Sequence, residues 1–354
     1  MTGSPTPCTP FISFIIPVYN AQHDLPATLS SILQQDDGTI EVICIDDGSS
    51  DKSGIILDAY AREHPCMVVQ HQHNQGITAA RNAGLSNARG TWVCFVDNDD
   101  ILAKTAVSVI HDTAENDCDI IYYGFQRFSS PLPEQHTTAI GGKTILESKD
   151  ISKLQSDCIN RFHGNKPHIS HSILPTPWAK IYRRDFLSQH HLLFRNDVTH
   201  EEDIVFNFEV LSYVHRVKIV DFTLYYYRWS TSSESHRYRP RIFQSSLTTL
   251  NAYQDIIKRR YPQRQDIIEL YRYRVLWELQ YCVFLGPMHE KNPASYKQRK
   301  RQFDILRDYP LFAESCNTLH MCKFEPRQSL LALLIKYRQF WLLNLLGKIV
   351  GKIR

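Results

Sequence analysis

Apolar positions along this chain come in two rhythms. Up to about residue 124, unbroken β-branched and aromatic runs alternate with stretches whose apolar residues recur every three or four positions. These are the patterns of buried strands and amphipathic helices respectively. Phe11 to Val18 predicts a first strand, and a helix follows to about Gln35 with Asp24 as its cap and Pro26 in its first turn. Glu41 to Ile45, Met67 to Gln70, Thr91 to Val96 and Asp119 to Tyr123 predict four more strands. Ser53 to Glu63, Thr78 to Ala88 and Leu102 to Glu115 predict helices between them. Strict alternation of this kind predicts an α/β fold with a doubly wound, mostly parallel sheet.

Between Phe125 and about Ile173 the rhythm weakens into mixed proline, serine, glycine and charge, which predicts loops and short helices. Pattern returns at Trp178 to Phe186 and Glu202 to Leu211, and Val217 to Tyr227 predicts a tyrosine-rich strand. Beyond Arg239 the reading is helical, over Ile242 to Arg260, Gln265 to Leu285 and Lys297 to Arg307. The divisions that follow are a flexible tail over 1–10, two halves of an α/β domain over 11–124 and 125–238, and a mainly helical region over 239–354.

Each of the first four strands runs into a polar cluster. They are Pro17-Val18-Tyr19-Asn20, Asp46-Asp47-Gly48-Ser49-Ser50-Asp51, Asn74-Gln75-Gly76 with Arg81-Asn82, and Asp97-Asn98-Asp99-Asp100. Side chains at the carboxyl ends of parallel strands converge on one crevice. Asp46 and Asp47 there suit a base N–H or a ribose hydroxyl, although Asp-Gly-Ser is also a common turn. Asp97 and Asp99 in one short turn suit Mg²⁺ or Mn²⁺, which take hard oxygen ligands, and such an ion bridges to phosphate oxygens. Asp100 is expected to cap the next helix. Gly76 permits a tight turn. Arg81, one turn into its helix, either faces a nucleotide or pairs with one of the aspartates.

Charge adds a contrast between the ends of the chain. The formal net charge of +3 gives no case for nucleic acid, yet the first third holds most aspartate clusters while Lys297-Gln298-Arg299-Lys300-Arg301 and the last residues are basic. Nine cysteines without a Cys-x-x-Cys pair, and Cys44 and Cys94 inside strands, point to a reducing compartment. The first ten residues carry no secretory pattern. His163, His168, His171, His190 and His191 match no zinc spacing. Between 327 and 354 there is no acid; Leu342, Leu345, Leu346, Ile349, Val350 and Ile353 share one helical face, with Lys348 and Lys352 opposite and Trp341 at the border. That face suits either an anionic membrane surface or the protein's own core, and charged residues interrupt it too often for a spanning helix.

Together the segments FIIPVYN, EVICIDDGSSD, HNQGITAARNAG and WVCFVDNDD closely resemble family 2 glycosyltransferases over Phe11 to Tyr123. Thr78 and Asn98 stand where serine is frequent in that family. Trp178-Ala179-Lys180-Ile181-Tyr182 and His200-Glu201-Glu202-Asp203-Ile204 continue the resemblance towards bacterial members that build capsule, lipooligosaccharide or exopolysaccharide. The resemblance implies a GT-A fold and an inverting transfer from a nucleotide sugar, most often a UDP-sugar, with Mn²⁺ or Mg²⁺ as cofactor. The 11–124 half then binds the donor and the 125–238 half the acceptor. Pro17, Tyr19, Asn20, Asp46, Asp47, Arg81, Asp97 and Asn98 fall at donor-binding positions, and Asp99 with Asp97 at the metal. Asp203 is the implied general base with Glu202 in reserve, since an inverting transfer needs one carboxylate to take the acceptor proton. Trp178 and Lys180 are candidates for the acceptor, and Arg228 or His236 for the diphosphate. The implied acceptor is a glycan or lipid-linked glycan, met by a cytoplasmic enzyme peripheral to the inner face of the cell membrane. A dinucleotide dehydrogenase is excluded by the missing Gly-x-Gly-x-x-Gly after the first strand. The rival from another class is an inactive, membrane-associated assembly component.

Overall fold

The computed structural model describes residues 9–129, 131–132, 140–160, 175–229, 238–318 and 326–353, without the side chains of 347–353. Most of the 1–10 tail, His163, His168, His171 and His236 therefore lie outside the described residues. In chain order the elements are β1 (Ile12–Val18), α1 (Leu25–Leu33), β2 (Ile40–Asp46), α2 (Ser53–Glu63), β3 (Met67–His71), α3 (Ile77–Asn87), β4 (Trp92–Phe95), β5 (Ile101–Leu102) and α4 (Ala106–Thr113). They continue with β6 (Ile120–Phe128), β7 (Lys143–Leu146), α5 (Ser148–Ile159), β8 (Lys180–Arg183), α6 (Arg184–Gln189), α7 (Glu202–Leu211) and β9 (Val217–Arg228). The remainder is helical: α8 (Ile242–Arg260), α9 (Gln265–Leu285), α10 (Tyr296–Asp308), α11 (Pro310–Thr318), α12 (Pro326–Lys336) and α13 (Phe340–Ile353). Two compact units result. One comprises Met1–Lys153, Ile169–Asn196 and Glu202–Ser230, the other Leu154–His168, Asp197–Glu201 and Thr231–Arg354.

The first unit is built on a nine-stranded sheet of order β3-β2-β1-β4-β8-β6-β9-β5, with β7 on β9. Its N-terminal half is parallel: β1 lies between β2 and β4, and β3 flanks β2. All seven residues of β1 and of β2 are buried, as strands covered on both faces require. Helix α3 comes so close to β1 that a Cβ on Gly84 would stand 2.3 Å from the Ile15 Cγ2 methyl. The second half is mixed, because the short return of β8 inserts antiparallel to both β4 and β6, while β6 and β9 remain parallel. The alternation in the first 124 residues signals the parallel half; the four-residue β8 carries too little pattern to announce its direction.

Two helix starts differ from the sequence reading. Asp24 precedes α1 but makes no capping hydrogen bond with its side chain; its carboxylate lies 3.3 Å from the Arg228 guanidinium instead. The helix expected from Leu102 begins only at Ala106, because Ile101 and Leu102 pair with Tyr226 and Tyr225 of β9. Asp100 is consequently no helix cap.

The second unit is a helical assembly in which α8, α10, α11 and α12 all pack on α9. A fully buried Arg274 on α9 is its polar centre, ion-paired to Glu201 and, at 2.8 Å, to Glu278. The guanidinium lies over the rings of Trp277 at 4.7 Å and Tyr253 at 5.6 Å. Ser246 Oγ donates to Glu278 at 2.8 Å. Burial alone would raise the Glu278 carboxyl, yet His200 and Arg274 hold it below its usual range. Seven cysteines are free among the described residues, and no helix among them is long and apolar enough to cross a membrane.

Candidate active site

Apart from Arg81, which is on α3, the donor-side candidates lie at the carboxyl ends of β1, β2 and β4 in the first unit. After β1 the chain turns at Asn20, which adopts a left-handed φ of 49°. Its Oδ1 accepts from the backbone N–H of Ser50 at 2.8 Å and of Asp51 at 3.3 Å, tying the loop after β1 to the loop after β2. Tyr19 is exposed beside it, while Pro17 is buried and its carbonyl accepts from Asn98 Nδ2 at 3.1 Å.

Asp46 and Asp47 end β2 with different engagements. Asp46 accepts from Ser49 N at 3.0 Å and meets His71 Nδ1 at 2.8 Å, and the other ring nitrogen of His71 lies 3.1 Å from Asp58. Hydrogen bonds to Asp46 and then Asp58 raise the His71 pKa. Asp47 accepts from Gln72 Nε2 at 2.7 Å, from Gln75 N at 2.8 Å and from Gly76 N at 2.8 Å. Gly76 is the N-cap of α3 at φ 91°, so the turn read from the sequence does use glycine's freedom. Asp47 thereby places a negative charge on the positive end of that helix.

The acidic turn after β4 hangs from β9. Asp97 N donates to the Tyr225 hydroxyl at 3.1 Å, and that hydroxyl donates to Asp100 Oδ2 at 2.6 Å. Arg228 N donates to Asp100 Oδ1 at 2.6 Å, and Arg228 Nε to the Asp99 carbonyl at 2.8 Å. Asp100 is thus a buried strut of the turn. Arg228 is engaged with Asp99 and Asp24.

Arg81 resolves the choice that the sequence left open. Only 3 % exposed, it reaches Asp97 Oδ1 at 3.0 Å and Glu202 Oε1 at 3.3 Å. Burial works against its charge, but Asp97, Glu202 and Asp203 outweigh that and raise its pKa. It pairs with an aspartate, as one of the two readings expected, and joins the turn after β4 to the start of α7. Glu202 and Asp203 occupy the first turn of α7, where the helix dipole favours acids, and Asp203 Oδ1 accepts from Ile204 N at 2.8 Å.

Both acceptor candidates are buried. Trp178 is 6 % exposed, stacked on Tyr225 at 4.9 Å and on Tyr227 at 5.3 Å, with Phe125 edge-on at 5.1 Å. Its ring is part of the hydrophobic core. Lys180 is 1 % exposed in β8, its ammonium 4.4 Å from the centroid of Tyr122. Sequence reasoning missed Tyr225 as the support of the acidic turn and His71 as the partner of Asp46. The tyrosine run was visible, but nothing in it distinguishes the one hydroxyl that reaches Asp97.

The electrostatics fit a divalent cation. Asp97, Glu202 and Asp203 act on Arg81; Asp97, Asp24 and Arg228 act on Asp99; and Asp97 and Asp99 act on Asp100. Burial, then the charge of Asp97, pushes the Asp99 carboxyl up to about 6. Burial and both neighbours drive Asp100 higher still. A site that strains to ionise its own carboxylates has room for added positive charge, and hard oxygen donors select Mg²⁺ or Mn²⁺.

A sheet that passes from parallel to mixed, with these acids on its rim, is a GT-A-like architecture. The model of the glycosyl transferase family 2 matches residues 13–174 of the chain. The EpsH protein of Bacillus subtilis, named as a glycosyltransferase, is 29% identical over 338 residues, 93% of this chain and 92% of the relative. Glycosyltransferase GlyG of Streptococcus pneumoniae is 29% identical over 226 residues, 63% of this chain and 72% of the relative. Among solved structures, S. aureus TarS 1–349 in complex with UDP-GlcNAc superposes with a TM-score of 0.61 at 16% identity, covering 97% of this chain and 92% of that one. The mannosyltransferase PcManGT from Pyrobaculum calidifontis, in complex with GDP-Man and Mn²⁺, gives a TM-score of 0.52 at 14% identity, covering 97% and 89%.

Proposed function

We propose that this glycosyltransferase moves a sugar, with inversion, from a UDP-sugar to a hydroxyl of a growing surface glycan, free or lipid-linked, at the inner face of the cell membrane. One observation carries the reading: Asp97 and Glu202, from segments far apart in sequence, meet on the same buried Arg81 guanidinium. A strand-end acid suited to a donor's metal and an acid pair suited to an acceptor's proton are thereby held together.

Asp99 and Asp97 would hold Mn²⁺ or Mg²⁺, which when bound neutralises charge on the departing diphosphate. The protein's own groups do the rest. Asp47, oriented by Gln75 N and Gly76 N, and Asp46, oriented by Ser49 N, line the nucleoside side of the rim. Asn20 holds the loop that closes it. Asp203 takes the proton of the acceptor hydroxyl as that oxygen attacks the anomeric carbon, and Arg81 fixes the neighbouring Glu202 so that the helix start cannot drift. Support for the nucleotide class comes from the neighbours, which bind UDP-GlcNAc and GDP-Man.

The test is a panel of UDP-sugars and GDP-mannose, read as nucleoside diphosphate released with Mn²⁺ present, in the parent and in Asp203→Asn. Turnover with one donor that falls about 10²–10⁴-fold in the variant, with donor affinity retained, supports the assignment. Undiminished turnover in Asp203→Asn would remove the base from this residue.

A further inference from the structure

The two C-terminal helices each have an apolar side already used and a second one left over. On the inward side, Ala332 and Ile335 of α12 and Phe340 and Leu343 of α13 are buried. The Phe340 ring packs on Tyr296 at 5.0 Å and on Phe303 at 5.6 Å, both from α10, and Arg299 of α10 donates to Asn344 at 2.9 Å. On the outward side, Leu330, Leu333, Tyr337, Trp341 and Leu345 are between 37 and 65% exposed. The face expected from the sequence, with Leu342, Leu345 and Leu346 together, is thus split: docking uses the Phe340 and Leu343 side, and Trp341 and Leu345 stay outside.

The same packing adds charge that the tail alone lacks. Tyr296, Arg299 and Phe303 bring α10 against α13, and with it Lys297 and Arg301, both exposed. The acids of α10 are already engaged, Asp304 by Lys300 and Asp308 by Arg338. Arg327 is exposed at the start of α12, and no acid occurs between 327 and 354.

We infer that α10, α12 and α13 form one composite membrane-docking surface, whose occupant is an anionic lipid bilayer. Apolar side chains with a tryptophan among them enter the interfacial zone, while lysine and arginine meet the headgroups. None of the three is long and apolar enough to cross a membrane. A second copy of the chain is the poorer occupant, since it would set the same basic, acid-free stretch against itself. The inference extends the location proposed for the acceptor and is independent of the donor chemistry.

The experiment is cosedimentation of the full chain with phosphatidylcholine vesicles, with and without phosphatidylglycerol, and no nucleotide. The parent should pellet only with the anionic vesicles, less so as salt rises. Trp341→Ser/Leu345→Ser and Lys297→Gln/Arg301→Gln should each weaken partitioning by about tenfold, with melting temperature and donor turnover unchanged. Leu343→Asn, on the inward side, should lower the melting temperature instead. Absence of binding to anionic vesicles, or variants that bind like the parent, would overturn the inference. So would a dimer, by light scattering, that Trp341→Ser/Leu345→Ser converts to monomer, since that gives the face to a second copy. Because no nucleotide is present, failure here leaves the donor assignment standing, and failure to turn over a donor leaves this surface standing.

Discussion

Asp99 holds its proton up to about pH 6 because burial and the charge of Asp97 oppose its ionisation. The sign of the consequence follows from linkage. In the unfolded chain the group ionises near pH 4, so over this window the folded state binds more protons than the unfolded one. Its contribution to stability is full below about pH 4 and is lost as pH rises through about 6; Asp100 acts in the same direction. Melting temperatures in a chelating buffer should therefore decline across that interval, and Asp99→Asn should flatten the decline. Added Mn²⁺ should raise stability more at pH 7.5 than at pH 5, since only the ionised carboxylate binds it. A metal-free melting curve that climbs over the same interval in the parent would contradict this account of the acidic turn. At this scale the sequence showed the acids but not their partners: Asp97-Asn98-Asp99-Asp100 is a legible string, whereas the reach of Tyr225 from β9 depends on a strand register set across more than a hundred residues.

Between elements, the tightest fit is α3 on β1. Gly84→Ala should cost about 1–3 kcal/mol, since the new methyl would meet Ile15 and one of the two elements must shift; a urea titration reads it directly. Arg81 binds the same helix to both acidic segments. Arg81→Met should lose about 3–5 kcal/mol, by leaving Asp97 and Glu202 without their shared cation. Turnover should fall more than stability alone explains if the bridge also orients the base. Element types were largely legible where rhythm was long: α8 and α9 begin and end at the predicted residues, and β1 and β2 lie within a residue or so of the runs that announced them. Where a run served tertiary pairing, legibility failed. Ile101 and Leu102 read as the start of a helix because they are apolar and precede one, yet the backbone there belongs to β9. For Trp178 the sequence left a sugar face and a core position equally open, because nothing local reveals the two tyrosines that stack on it.

At the scale of the whole molecule, the two units rest on different physics. The sheet unit is held by buried β-branched strands, while the helical unit encloses an ion network around Arg274. Arg274→Met leaves Glu201 and Glu278 buried without their guanidinium and should destabilise the helical unit by about 3–5 kcal/mol. A broadened or split melting transition would show that loss to be local to one unit. None of this network was legible, since Arg274 and Glu278 look like ordinary surface charges on a helix of even composition.

The central claim is a nucleoside diphosphate held through a divalent ion on Asp99 and Asp97. Thermal melting of the parent and of Asp99→Ala with UDP, each with and without Mn²⁺, tests it most directly, because a ligand that binds only the folded state raises the transition. The account predicts a rise of several degrees in the parent that needs Mn²⁺ and disappears in Asp99→Ala. A rise of equal size without the metal, or one that survives in Asp99→Ala, would contradict it.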